Sequence, residues 1–527
     1  MIKKYLFMFV VALFVVPSCL NGVNQKMNNP KVYKTDRPNL EVEESNLLTS
    51  YEQWRKEKAL KLDKYELLYS AKIVVDKNDA MLQIPESLKK YWDDKTVVAK
   101  EAPIVEFGIV PASPRFFSEP SKKPANPELS YSREWSNWSQ AAYYQPTGKF
   151  YSTVGDTDPY DGHLYVVEYE PATKTLKCLP EIHKMLGTPA GQMKDAKIHG
   201  YLDFHDGPNL WLCTYWTIYP EPDEKDFATG YDGGHILSFN VLTGDMTDYG
   251  IPAKRISWPY HRIDTNRGIL YGVGFFGEFI AWDIKSRSII WCGYPPKDIT
   301  WWWRAMMIDE TTGNVYSSYI YDPDPNVHMV KYDPNTNRFT KMQTRMPHFS
   351  GKNQIVEKEK PLEVDMIRAN TLNRGPDGLI WGVTKQGELF TFDPETEKLI
   401  PKGINWPGLI RYTCAMERSP GGRYIYYCPG AHGIAWQDGT PIVQYDTKTG
   451  IKKVIAFLHP FYREKYGYIP AGSFSIKLDE TGEHLFALWN GGFFDESDAE
   501  RKGFQGFFGS CAITYIHIPA SERMNDE

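Results

Sequence analysis

From about residue 136 onward the chain alternates short apolar runs with glycine-bearing turns, and the same unit returns. It has an apolar strand, a turn with Gly, a strand rich in Tyr or Trp, a second Gly, and a strand ending in an aromatic-Asp-Pro-x-Thr type turn. One copy runs Gly378-Leu379-Ile380-Trp381, then Gly387 to Phe392-Asp393-Pro394-Glu395-Thr396. Another runs Gly313 to Tyr316, then Val330-Lys331-Tyr332-Asp333-Pro334-Asn335-Thr336. Further copies place their third strand at 164–173, 236–244, 279–285 and 442–450, and the last runs from Gly482 to Ile518. The interval is roughly 45 to 70 residues, and each unit has the composition of a small antiparallel sheet. A sheet of this kind cannot bury both its faces alone, so the units pack radially into a closed ring. The prediction is an all-β fold, a seven-bladed β-propeller over 136–520, with a sandwich or two stacked β-domains as the rival architecture. The Asp-Pro-x-Thr segments are structural turns, in which Asp caps and Pro sets φ.

Upstream the pattern changes. Leu47, Leu48, Tyr51, Trp54, Leu60, Leu62, Tyr65 and Leu68 recur at helical spacing, so residues 46–135 read as a short helical and irregular extension, Pro-rich near its end. Residues 19–45 are polar and read as a tether. At the start, Lys3 and Lys4 precede an apolar run, Tyr5 to Val16, too short to anchor a bilayer stably. It leads into Pro17-Ser18-Cys19, which reads as a lipoprotein signal (residues 1–18) with Cys19 as the lipidated residue. The expected location is the cell envelope, with a monomer held to the membrane through that lipid alone.

The net charge of −6 over 527 residues argues against nucleic acid as a partner. It leaves room for an anionic substrate, which a local cluster of cations would decide. The 16 Trp and 34 Tyr suit both a sheet-rich core and sugar-stacking surfaces. The six other cysteines, at 178, 213, 292, 414, 428 and 511, have no metal-like spacing, and Cys414 with Cys428 is a conceivable disulfide. No cofactor is required by any motif; a structural divalent ion, Zn or Ca, stays open without assigned ligands.

In a propeller the innermost strands line the central channel. Counting back about eight residues from each turn glycine lands on Gln140, His199, Tyr260, Arg304, Arg368, Tyr412 or Cys414, and Ser473. His261 and Arg262 follow Tyr260, and Trp301, Trp302 and Trp303 precede Arg304. Two arginines without acids at equivalent positions suggest an anion between them. His and Tyr are side chains that move protons in such a site. Each also has a structural reading: a hydrogen-bonded core imidazole, a packed phenol, a channel arginine paired with a loop carboxylate. His163 and His235 open third strands and read as structural or, less simply, metal-binding. His205 reads as a solvent-facing turn residue. His432, in Gly430-Ala431-His432-Gly433, could reach the channel face. No paired carboxylates mark a glycosidase, and no strand-to-helix glycine loop marks a nucleotide site.

The blade with Lys197-Ile198-His199-Gly200, Trp211 to Trp216 and Gly234-His235-Ile236, followed by Tyr260 and Gly268 to Tyr271, resembles the propeller-type ulvan lyases. The resemblance covers about 140–520 and lies more in blade layout than in a sharp motif. It implies a polysaccharide lyase that cleaves a uronate-containing, sulfated glycan by β-elimination, with His199 and Tyr260 handling the protons. The family's second His falls here near Tyr215 and Trp216, and its Arg near Phe275 and Phe276. Neutralising the uronate would then pass to Arg304, Arg368, Arg262 or His261, with Tyr215, Trp216 and Trp303 as further substrate-binding residues. The alternative function is a non-catalytic glycan-binding or scaffold propeller of the envelope. A quinone-cofactor dehydrogenase on a similar ring finds no residues in its support.

Overall fold

The structure is a computed structural model that describes residues 31–33, 73–110, 136–156, 159–160, 162–179, 181–216, 222–319, 326–348, 365–492, 510–524 and 526. The signal segment, Cys19, most of the tether and the helices read over 44–70 lie outside the described residues.

Seven antiparallel sheets form the ring, with cores at 142–178, 203–250, 260–293, 307–345, 367–404, 416–457 and 469–517, numbered here as blades 1 to 7. The fold is a seven-bladed β-propeller. Its strands are buried on both faces: every residue of Ile269–Val273 and of Ile380–Thr384 is buried. That explains why the strands read as near-continuous apolar and aromatic runs rather than alternating ones. Between the sheets stand fully buried large side chains, among them Trp211, Trp258, Trp282, Trp301, Trp406 and Trp489. Each contributes on the order of 2–3 kcal/mol by leaving water. The outer turns close as their composition predicts. Asp393 accepts from the Glu395 amide at 2.9 Å and from the Thr396 hydroxyl at 2.5 Å, and Asp333 does the same at 2.9 Å for Asn335 and Thr336.

The ring begins earlier than residue 136. Ile104–Ile109 is the fourth strand of blade 7, antiparallel to Ala512–His517, and Val74–Asp76 pairs outside it. Thr96–Val98 adds a parallel strand to the outer edge of blade 6, and Lys31–Tyr33 an antiparallel one to blade 2. The stretch expected as a helical and irregular extension therefore supplies strands that close the ring and cover exposed edges. Its helical content among the described residues is one short turn, Asp79–Leu82, and the helix Glu86–Lys89. The six described cysteines are all free thiols, so the Cys414–Cys428 bond is not formed. No helix among the described residues is long and apolar enough to cross a membrane.

Candidate functional site

The starts of the inner strands meet at one mouth of the channel, and local irregularities turn the key side chains inward. In blade 2, Lys197 bridges to Tyr215, and the chain then passes through Gly200. A Cβ on Gly200 would stand 2.3 Å from the His261 ring, so only glycine lets blades 2 and 3 approach this closely next to His199. In blade 4 the strand is interrupted after Trp301. The Ser317 hydroxyl donates to the carbonyl of Ala305 at 2.7 Å, securing a turn that carries Trp303 and Arg304 out of the ladder. In blade 5 the register shifts between Ile367 and Ala369, and the bulge re-aims the intervening Arg368. In blade 6 the amides of Gly430 and Ala431 both donate to the Tyr412 carbonyl, at 2.8 and 3.1 Å, which holds His432 over Tyr412.

Tyr412 is the centre of the result. Its hydroxyl accepts from Arg368 Nε at 2.5 Å and from Arg304 Nη1 at 3.2 Å. The His432 ring meets the Tyr412 ring edge-on at 4.5 Å. His199 is ringed by Trp138 at 5.9 Å, Phe474 at 5.8 Å, Tyr215 at 6.1 Å and Trp303 at 6.4 Å. Lys197 Nζ lies 4.8 Å above the Trp138 ring, and the Arg304 guanidinium lies 4.2 Å above Trp303. Six of the seven blades contribute to this arrangement directly.

The charge is one-sided. Lys197, Arg304 and Arg368 have no carboxylate partner among the described residues, unlike Arg374, which pairs with Asp309 at 2.7 Å. Burial and then Arg304 bring the Lys197 ammonium down to about 8. Burial, with Arg304, Arg368 and Lys197 adding to it, holds His199 well below the ordinary histidine value, and His432 likewise. Both imidazoles are therefore neutral at pH 7. Burial raises the Tyr412 phenol against the opposing pull of Arg368 and Arg304, so it keeps its proton. His199 Nδ1, His432 Nε2, Arg304 Nε and Arg368 Nη2 are buried without a hydrogen-bond partner. Four such groups in one place leave hydrogen-bonding capacity that a polar, negatively charged guest would satisfy.

Of the residues expected from sequence, the structure brings together His199, Arg304, Arg368, Trp303 and Tyr215, with Trp216 against Tyr215 at 5.9 Å. Tyr260 also lines the channel, within electrostatic reach of Arg368, but no hydrogen bond between it and either arginine is formed among the described residues. Its ring packs on Tyr201 at 5.8 Å, its hydroxyl bonds to the Met306 backbone, and burial pushes it up to about 12. His261 is a packed core imidazole: it accepts from the Cys213 amide at 3.2 Å, and burial pushes it down to about 3. Arg262 lies over the Tyr201 ring at 4.7 Å and bonds to the Leu372 carbonyl at 3.3 Å, away from the mouth cluster. His163 and His235 pair with Asp156 and Asp248 at 2.9 and 3.0 Å. Among the described residues no group of three or more His, Cys, Asp or Glu side chains is placed to hold a metal ion. Lys197, Trp138 and Phe474 join the site without being reached by the count from the turn glycines. Lys197 flanks His199 in sequence, and that adjacency was the available signal.

No protein-family model matches the chain, and no curated protein matches it. Among solved structures, that of Saccharomyces cerevisiae Sqt1 aligns with a TM-score of 0.42 at 10% identity, over 72% of this chain and 83% of that one.

Proposed function

We propose that this protein is a polysaccharide lyase that cleaves a uronate-containing glycan, such as ulvan, by β-elimination at the channel mouth. The observation that carries the reading is the set of three cations without carboxylate partners around two neutral imidazoles and a protonated phenol. The C5 proton of a uronate becomes removable when charge can develop on the neighbouring carboxylate, and cations facing that carboxylate favour this. Arg304, Arg368 and Lys197 suit that task. His199, uncharged and with a free Nδ1, takes the proton from C5. The C5–H electron pair forms the C4=C5 double bond, the C4–O4 bond breaks, and O4 takes the proton of the Tyr412 hydroxyl. The phenolate left behind keeps the hydrogen bonds from both guanidiniums, which lowers the cost of that transfer. Tyr412 is preferred to Tyr260 for this step because its oxygen is the one the arginines converge on. A uronate polymer outside the cell also accords with the lipoprotein reading of Cys19.

The test is ultraviolet absorbance of the lipid-free protein incubated with ulvan and then other uronate polysaccharides. A rising trace reports the unsaturated uronate that elimination creates. A flat trace from folded protein that still binds the polymer overturns the lyase and leaves a glycan-binding propeller.

A further inference from the structure

Blade 3 raises a tight hairpin beside the cationic cluster, between the strands Ile269–Val273 and Phe279–Asp283. Its tip is Phe275-Phe276, and Phe276 is 56% exposed. More than half of the Phe276 surface therefore stays in water at the turn tip, where it adds little to the core. The turn is nonetheless held rigidly. The buried carboxylate of Glu278 accepts from the Phe276 amide at 2.9 Å through one oxygen and from the Tyr294 hydroxyl at 2.7 Å through the other. Gly274 is compelled by the same group, because a Cβ there would meet Glu278 Oε2 at 2.3 Å. Tyr294 is itself 53% exposed, so one buried carboxylate holds the backbone at Phe276 and the hydroxyl of a second exposed aromatic.

These rings are continuous with the site. Phe275 packs on Trp303 at 4.8 Å and on Phe276 at 5.3 Å, and Trp216 backs both phenylalanines at 6.2 and 6.5 Å. Trp303 carries Arg304 on its face, so charged recognition passes directly into an aromatic shelf.

We propose that this shelf is a sugar-binding subsite. It would take the apolar C–H face of the residue next to the cleaved uronate, so that the polymer leaves the channel mouth across blade 3. This rests on the glycan reading above. The occupant follows from continuity: whatever sits against Arg304 with a second ring attached places that ring over Phe275 and Phe276. A turn whose backbone is held in position loses little entropy on binding, which is what a subsite for a flexible chain requires.

The experiment measures binding of ulvan polymer and of its disaccharide unit to H199A, in which turnover is removed, with and without F276A. Phe276 is exposed at a turn tip, so its removal leaves the core intact. The ratio of polymer to disaccharide affinity is expected to fall about ten-fold in F276A and to return in F276W. An unchanged ratio in F276A overturns the subsite and leaves the lyase reading untouched. Polymer binding that depends on Phe276, from a wild-type protein with a flat absorbance trace, sinks the lyase and keeps the subsite. No binding of any uronate polymer by H199A or wild type overturns both.

Discussion

Lys197 and His199 stand two positions apart in one strand start and answer pH differently. Burial and the neighbouring cations keep His199 uncharged far below its ordinary value, so the acid limb of kcat/KM should lie well under pH 6.5. Lys197 is charged below about 8 and loses its proton as pH rises through that value, so anion affinity should fall on the alkaline side. K197R should carry the alkaline limb upward; a limb that stays put would assign it to another group. H199A should reduce formation of unsaturated product by about 10²- to 10⁴-fold, the usual scale for a positioned proton-transfer group. Y412F should lose more activity than Y260F in the same absorbance assay, and the reverse order would return the acid role to Tyr260. Counting back from turn glycines reached both tyrosines but could not rank them. The ranking depends on which hydroxyl two arginines from blades 4 and 5 can reach, and no local pattern records that. Lys197 escaped the count because it enters from outside the regular strand register on which the count relies, whereas the glycine-rich loop around His432 marked that residue independently of it.

At the scale of strands and turns the chain was far more readable. The turn Asp393-Pro394-Glu395-Thr396 declares itself by composition, since its Asp side chain satisfies the amide and hydroxyl that follow. D393A should therefore cost about 1 kcal/mol in urea denaturation at neutral pH, comparable to losing a helix cap. Third strands and turn glycines were legible because turn chemistry repeats in every blade. The bulge at Arg368 and the break after Trp301 were not, because they are departures from that repeat. The break in blade 4 is secured by a hydroxyl on the adjacent strand, Ser317, rather than by the residues on either side of it. The site is built largely from those departures, which is why the fold could be read further than the chemistry.

For the molecule as a whole, the decisive contact is the one that joins the two ends of the described ring. Glu106, on the strand supplied by the N-terminal stretch, is pushed up by burial, but hydrogen bonds from His517, Lys174 and Tyr169 outweigh this and bring it to about 2. His517 Nε2 lies 3.0 Å from its carboxylate, while Lys174 and Tyr169 reach it from blade 1. Because the folded value lies below the ordinary 4.5, this stabilisation is complete above pH 4.5 and is lost as pH falls toward 2. E106Q should lower stability at pH 7 by about 3 kcal/mol, the scale for breaking a buried ionic contact. Its deficit relative to wild type should shrink in acid, as followed by thermal denaturation; a deficit independent of pH would show packing rather than charge at work. That strand was invisible in the sequence because it is a lone apolar run whose partner lies 411 residues away. The same separation sets a timetable. Six sheets can assemble as the chain is made, but the seventh waits for the final segment, and until then an open β-edge stands unguarded at each end of the arc. The finished circle is thus a proofreading step of a sort: a chain that stops short of its last strand has nothing with which to fasten its first.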